Sequence, residues 1–532
     1  MNRTVLIGLD GATFSVLNPL MQNGTMPFLK DFIGKGVSAI LPSVIPPLTP
    51  PGWTTIMTGR SPGNHGILDF FRFESPESKY LTFNTARNIE CETIWSIVSR
   101  HDQKATTLNF PTMIPPQPIS GFIVPGWVTW RSLRRSCYPS SLYDKLKEIP
   151  DFSIKMLGMD LGTEEQAVSG CPEDEWVEWV KHHIDREKQW FTVLKYMMIN
   201  EPCELTAIVF DGVDKLQHLF WRFIHPDFMP NEFTPKEQEI NKLCMQYFSQ
   251  MDFFISEIVN LAGDDGRIFM VSDHGFTASS EVFYLNTWLS QNGYLTWSEK
   301  AEAHENPYEL GVSNAMRYFE LIDFEKTTAY STTPSNRGLY ISVAGRKDEF
   351  GIPPEKYESF RKELIHKLMQ IKDPNSGEQV VKKIWTREEA FAGTAMELAP
   401  DLTLDLRDHG FTSILKSDSF IKKRKEITGT HHPEGIFIAG GNGIHKGLKL
   451  NEVSILDVVP SLLYSMSIPI PEDLEGKVPV EVFDKEYIRE NPVADGPPTT
   501  KPEKNTASSK FKQSEEEKAK VMEKLKALGY LE

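Results

Sequence analysis

The chain has 532 residues, 40% hydrophobic and 24% charged, and its 57 basic and 73 acidic side chains give a net charge of −16. Such a length accommodates about three domains of ordinary size or one large α/β enzyme, and the near-average composition excludes wholesale disorder. The acidic balance excludes a bulk nucleic-acid surface, which needs clustered Lys and Arg, and five scattered cysteines without a CxxC exclude a disulfide scaffold.

The N-terminal apolar run 5–9 is closed by Asp10 and is too short for a signal-peptide core. No run of about 18 uncharged apolar residues follows, so no membrane span is expected and the chain reads as soluble and cytoplasmic. Five further short apolar runs, 106–109, 121–124, 205–210, 267–272 and 435–439, end in polar or glycine residues. Continuous runs of this kind suit strands buried on both faces of a parallel sheet. Between them, residues 176–200 and 235–262 carry apolar side chains at spacings of three and four, the second stopping at Gly263-Asp264-Asp265-Gly266. This alternation predicts an α/β fold with a mostly parallel central sheet flanked by helices.

Residues 295–425 break the rhythm, with Arg337-Gly338-Leu339-Tyr340-Ile341-Ser342-Val343 reading as part of a hairpin or of an αβ unit. We take them as an inserted α/β cap and 1–294 with 426–485 as the catalytic core. From about Asn491 the composition turns to Pro, Thr, Lys, Asn and Ser, so 486–510 is expected to be a flexible linker. Ser514 and Glu517 then form a capping box before Val521, Met522, Leu525 and Leu528, with Gly529 as the stop. An amphipathic helix over 511–532 follows, docking on its own core or joining copies in a homo-oligomer.

In open α/β sheets ligands bind beyond the carboxyl ends of the strands. The first run ends at Asp10, the 205–210 run leads to Asp214 and His218, the 267–272 run ends in Asp273-His274-Gly275, and His431-His432-Pro433-Glu434 precedes the last. Each alone has a bland reading as an N-cap, a surface pair or a turn. Together, three aspartates and three histidines at strand ends would converge on one mouth. Mixed carboxylate and imidazole ligands suit Zn²⁺ first and Mn²⁺ second, and six ligands suit two ions about 4 Å apart.

Thr49-Pro50-Pro51-Gly52 is a helix start, with Thr49 as N-cap and prolines where no donor is needed. Beyond that structural role, a hydroxyl at the positive helix end beside a metal can ionise and attack phosphorus. Gly52 could bring its N–H to a phosphoryl oxygen, whereas Thr54 and Thr55 would point elsewhere. The ordered set Asp10, Thr49, Asp214, His218, Asp273-His274-Gly275 and His431 resembles the type I phosphodiesterase/nucleotide pyrophosphatase branch of the alkaline phosphatase superfamily. The texts Pro51-Gly52-Trp53-Thr54-Thr55, Pro62-Gly63-Asn64-His65-Gly66 and Asp214-Lys215-Leu216-Gln217-His218 are similar to its subgroup of predicted phosphohydrolases and phosphomutases.

The resemblance implies an alkaline phosphatase-like core, one metal on Asp214, His218 and His431, and a second on Asp10, Asp273 and His274. Thr49 would bridge toward the second metal and form a phospho-threonine intermediate, with net retention at phosphorus. Two departures matter. Nucleotide pyrophosphatases carry Asn where Gly52 stands, which removes a side-chain donor, and sulfatases need Cys or Ser at Thr49 and Arg at Trp53. Substrate contacts are expected from Gly52, from Asn109 at another strand end, and from Trp127 and Arg131 in an aromatic and basic stretch. The expected activity is hydrolysis of a small-molecule phosphodiester or pyrophosphate; a phosphomutase or phosphomonoesterase is the nearest rival, and a metal-stabilised binding protein a more distant one.

Overall fold

The computed structural model describes residues 3–73, 81–158, 171–301, 321–333, 335–346 and 349–500. All six apolar runs become strands of one eight-stranded sheet, and two edge-side strands that their sequence does not announce complete it. In chain order these are β1 (Thr4–Leu9), β2 (Val37–Pro42), β3 (Ala105–Leu108), β4 (Gly121–Val124), β5 (Leu205–Phe210), β6 (Arg267–Val271), β7 (Glu434–Gly441) and β8 (Leu448–Glu452). Their spatial order is β8-β2-β7-β6-β1-β5-β3-β4. Strand β7 runs antiparallel to both neighbours and every other pair is parallel.

Side chains alternate between two buried layers, as the period of two requires. Val5, Ile7 and Leu9 join the cluster beneath the helices Trp176–Asn200, Gly212–Ile224 and Pro235–Ala262. Leu6 faces the opposite layer, with Trp53, Ile56, Leu462 and Leu463 from the helices Thr49–Thr58 and Val458–Ser465. Gly8 occupies the centre of β1 because Trp53 lies directly on it: a Cβ there would stand 2.4 Å from the indole. The central strands finish nearly flush, with Leu9 opposite Phe210 and Gly8 opposite Val271. Asp10, Asp211 and the 272–274 turn therefore emerge side by side.

Beyond that turn the chain leaves the main sheet. Gly275–Tyr284 pairs antiparallel with Ile421–His432 and parallel with Thr412–Ser413, forming a three-stranded sheet beside the strand ends. Between its strands lies a four-stranded antiparallel sheet, Ala329–Tyr330, Gly338–Ile341, Leu402–Leu406 and Val381–Thr386, with the helix Tyr357–Leu368. These elements share a hydrophobic cluster that includes Leu339, Leu364, Leu368 and Leu404, and Leu285, Trp288 and Leu289 bury in it as well.

The segment read as a free linker is pinned as far as Thr500. Asp495–Gly496 pairs with Ile470–Pro471, Thr499 donates its N–H to Asp473 at 2.7 Å, and Thr500 N–H to Glu92 at 2.8 Å. Its attachment uses backbone donors on carboxylates rather than apolar burial, so no hydrophobic pattern marks it. The helix expected over 511–532 lies outside the described residues. All five cysteines are buried free thiols, and among the described residues no helix is long and apolar enough to cross a membrane.

The inserted sheet is tied to the core through Asp69, which accepts hydrogen bonds from Thr333 Oγ1 at 2.6 Å, Ser335 Oγ at 2.8 Å and the Phe70 N–H. Burial nevertheless pushes its carboxyl up to about 6 from 3.8, because those three donors only partly replace water. A raised carboxyl binds its proton more tightly in the folded state, so its contribution to stability is present below pH 3.8 and lost as the pH rises through about 6. Urea unfolding of wild type and Asp69→Asn across pH 4–7 checks this. The stability of wild type relative to the variant should fall through that window, and a difference independent of pH would refute the assignment.

Candidate active site

Seven side chains predicted from sequence come to one place at the carboxyl edge of the main sheet. Asp10 follows β1, and Asp273 and His274 follow β6. Asp214 and His218 sit one turn apart in the helix that starts directly after β5. His431 ends the long strand Ile421–His432, and because β7 runs antiparallel, its beginning lies at the same edge. Thr49 opens the helix after β2. None of the seven is more than 7% exposed.

The distances define a tight polar cluster. Asp214 Oδ1 lies 3.2 Å from His431 Nε2, 3.6 Å from His218 Nε2 and 3.9 Å from His274 Nε2. His274 Nε2 lies 3.3 Å from Asp273 Oδ2, 3.8 Å from Asp10 Oδ1 and 3.1 Å from Thr49 Oγ1. His218 Nε2 stands 3.1 Å from His431 Nε2.

The outer nitrogens explain this convergence. Nδ1 of His218 donates to the Gly429 carbonyl at 3.2 Å, that of His431 to Pro47 at 3.1 Å and that of His274 to Gly275 at 3.0 Å. Each bond fixes the tautomer with the proton on Nδ1, leaving a lone pair on Nε2 directed inward, as in metal-binding histidines. Asp10 Oδ1, Asp214 Oδ1 and Asp273 Oδ2 are buried without a hydrogen-bond donor. Facing lone pairs and orphaned carboxylate oxygens repel one another unless a cation lies among them.

Charge on these groups is correspondingly costly. Burial, and then the neighbouring carboxylates, hold Asp10 well above the ordinary range, and burial does the same for Asp273 and raises Asp214. Burial pushes His218 down to about 4 and His431 to about 3, and His274 well below its usual value. Two sets of ligand atoms lie close enough to hold an ion: Asp214, His274 and His431, and Asp10, Asp273 and His274. His274 is common to both, and His218 borders the first.

Several sequence expectations change in detail. Leu48, not Thr49, is the N-cap, so Thr49 is the first helical residue and its hydroxyl turns to His274 instead of capping. The Gly52 N–H is used by the Leu48 carbonyl at 2.9 Å and is not offered to a ligand. What requires glycine is space, since a Cβ there would stand 2.9 Å from Asp273 Cβ. Thr54 donates to the Pro50 carbonyl at 2.7 Å and Thr55 bonds His65 at 3.0 Å, which leaves Thr49 as the hydroxyl in the cluster.

Asn109, Trp127 and Arg131, the other expected substrate contacts, are engaged with neighbouring groups of the protein. Asn109 directs its amide to the Val209 carbonyl at 2.8 Å and to Asp211 at 3.2 Å. Trp127 stacks on Phe70 at 5.4 Å, and Arg131 is exposed over Trp130.

Sequence reading missed the buried charges behind Asp214. Asp211 pairs with Arg186 at 2.5 Å and Lys215 at 3.1 Å, while Glu187 accepts the Gly212 N–H at 2.7 Å and the Tyr247 hydroxyl at 3.2 Å. This network fixes the start of the helix that carries Asp214 and His218. A signal was present: Arg186 and Glu187 fall on the apolar face of the helix Trp176–Asn200, between Val180 and Trp190.

Residues 4–434 match the family of type I phosphodiesterase/nucleotide pyrophosphatase. The fold is similar to human ectonucleotide pyrophosphatase/phosphodiesterase 5, with 14% identity and a TM-score of 0.51 over 91% of this chain and 100% of that one. It is also similar to phosphonoacetate hydrolase from Sinorhizobium meliloti in complex with phosphonoacetate, with 16% identity and a TM-score of 0.50 over 87% of this chain and 95% of that one. At these identities the two structures speak for the architecture alone. The match over residues 4–434 assigns the activity class: the chain belongs to the type I phosphodiesterase/nucleotide pyrophosphatase family, a family of phosphoester hydrolases.

Proposed function

We propose that the protein hydrolyses small-molecule phosphodiesters or pyrophosphates with Thr49 as nucleophile and two divalent ions as cofactors. One observation carries this reading: three inward Nε2 lone pairs and three orphaned carboxylate oxygens meet beside the Thr49 hydroxyl. Since one Nε2 cannot serve two ions, the ligands divide as Asp214, His218 and His431 for one and Asp10, Asp273 and His274 for the other. Mixed imidazole and carboxylate donors suit Zn²⁺ first and Mn²⁺ second. Ions so held supply the positive charge that favours an ionised Thr49 hydroxyl and a charged phosphoryl group.

The protein's own contribution is placement. Thr49 opens a helix, so the positive end of the helix dipole lies at its hydroxyl. Its Oγ1 forms a bond to phosphorus as the bond to the leaving group breaks, giving a phospho-threonine ester. Water then attacks phosphorus, the threonine oxygen leaves and regains a proton, and two inversions give net retention. Gly52 allows the helix to approach Asp273 closely enough for this alignment. Five reduced, buried thiols suit a cytoplasmic protein.

Thr49→Ala should lower turnover on the order of 10³-fold or more while leaving bound metal unchanged by elemental analysis. Undiminished turnover would rule out Thr49 as nucleophile. Chelation should abolish activity, Zn²⁺ or Mn²⁺ should restore it, and bis-aryl phosphates should be cleaved faster than mono-aryl ones; exclusive monoester cleavage would contradict the diester assignment. Gly52→Ala forces a shift between the helix and Asp273, and about a 100-fold loss is expected from misplacement on this scale. Wild-type rates in that variant would show that the close approach has no catalytic role.

A further inference from the structure

Arg337 sits in the inserted segment just before the strand Gly338–Ile341 and has only 1% of its surface exposed. Its carbonyl accepts the Leu404 N–H at 3.1 Å, which fixes the residue against the strand that carries Asp405. A buried guanidinium ordinarily has each donor edge filled.

Among the described residues, Nε and Nη2 of Arg337 have no acceptor, and these are the two donors along one planar edge of the group. Its nearest acid, Asp405, lies 3.7 Å from Nη1, beyond hydrogen-bond range, and the same Asp405 oxygen is engaged by His409 Nδ1 at 2.9 Å. Asp408 is committed elsewhere, accepting the Gly410 N–H on one oxygen and Ser279 and Ser280 on the other. Among the described residues, the Nε/Nη2 edge of Arg337 therefore has no acceptor to turn to.

Its position connects it with the active site. Asp405 holds His409, whose ring packs at 4.7 Å against His432, the residue next to His431 in the same strand. The backbone at Arg337 is left-handed, with φ of 48°, a conformation a long side chain adopts only when its surroundings hold it there.

We infer that the Nε/Nη2 edge of Arg337 is a binding site for an oxyanion, a phosphate or carboxylate group carried by the substrate in addition to the phosphoryl group that reacts. Such a group presents two oxygens in the plane of the fork and supplies the two acceptors that the fold omits. Selectivity for doubly anionic substrates then resides in the inserted segment. This inference rests on the proposed phosphoester chemistry for the word substrate, but the oxyanion site itself can be tested without turnover.

The test uses the metal-loaded full-length chain. Inorganic phosphate and acetate are titrated separately by calorimetry into wild type, Arg337→Gln and Arg337→Lys. At least a tenfold weaker affinity for one of the anions is expected in Arg337→Gln, and a smaller loss in Arg337→Lys, with metal content unchanged. Which anion responds tells phosphate from carboxylate.

In turnover, KM for inorganic pyrophosphate or for a carboxylated phosphoester should rise about tenfold in Arg337→Gln with little change in kcat, while a bis-aryl phosphate is unaffected. Unchanged affinity for both anions in both Arg337 variants would overturn the inference. Should the variants misfold, a crystal structure of wild type soaked in phosphate decides. Phosphate oxygens within hydrogen-bond reach of Nε and Nη2 support the site, and a fork left without an anion while the metal cluster holds one overturns it. If Thr49→Ala abolishes turnover but neither anion binding nor KM responds to Arg337, this inference fails and the proposed chemistry stands. If wild type cleaves no phosphoester but phosphate affinity depends on Arg337, the reverse holds.

Discussion

Everything in this structure is arranged around one electrostatic demand. Three carboxylates and three imidazole lone pairs are packed together out of water, and Nε2 of His218 and His431 face each other at 3.1 Å. Burial keeps the imidazoles neutral, and burial with the mutual repulsion of the carboxylates makes their ionisation costly unless positive charge lies among them. The backbone keeps the cluster from relaxing. The carbonyls of Pro47, Gly275 and Gly429 hold the three rings by their outer nitrogens, and the Asp211 network holds the helix that carries Asp214 and His218.

Sheet direction makes this convergence possible. In a parallel sheet every strand delivers its next residue to the same edge, so Asp10 and Asp273 arrive together although 263 positions separate them in the chain. The single antiparallel strand, β7, serves the same end in reverse, since its start lies where its neighbours finish and His431 reaches the edge from the three-stranded sheet. Gly8 lets Trp53 lie flat on β1, and the indole N–H then reaches Asp10 at 3.3 Å. Core packing and site geometry are here one contact.

The parts of this architecture that were legible in the sequence are those set by burial. The six apolar strands and the two long helices, 176–200 and 235–262, have the boundaries expected to within two residues or so, because continuous β-branched runs and helical spacing reflect the surroundings of each residue directly. Strand β8 was invisible for the converse reason: Leu448–Glu452 is a half-exposed edge with lysine and glutamate in it. At the site, residue types at strand ends named the seven side chains, but their bonding was not readable. Thr49 shares its first turn with two prolines, and only the structure distinguishes a capping hydroxyl from one turned to His274. Gly52 was read for its N–H, whereas its hydrogen bond to Leu48 and its contact with Asp273 show that its missing Cβ matters. Asn109 was chosen for its strand-end position, which it has, but its amide is spent on Val209 and Asp211. Contacts between segments far apart in sequence, such as Thr333 and Ser335 with Asp69, leave no local pattern to read.

The inserted segment is more than a cover on an otherwise complete core. It shares a sheet with neither β1 nor β5, yet its attachment at Asp69 and the placement of Arg337 are made by residues only four and two apart in one short stretch, 333–337. Whatever moves that stretch moves both. The proposed metal ligands come from strand ends fixed by the sheet, so they do not by themselves distinguish among leaving groups. Discrimination must therefore come from groups that the sheet does not fix. Arg337, buried just before an inserted strand and held there by backbone pairing, is such a group.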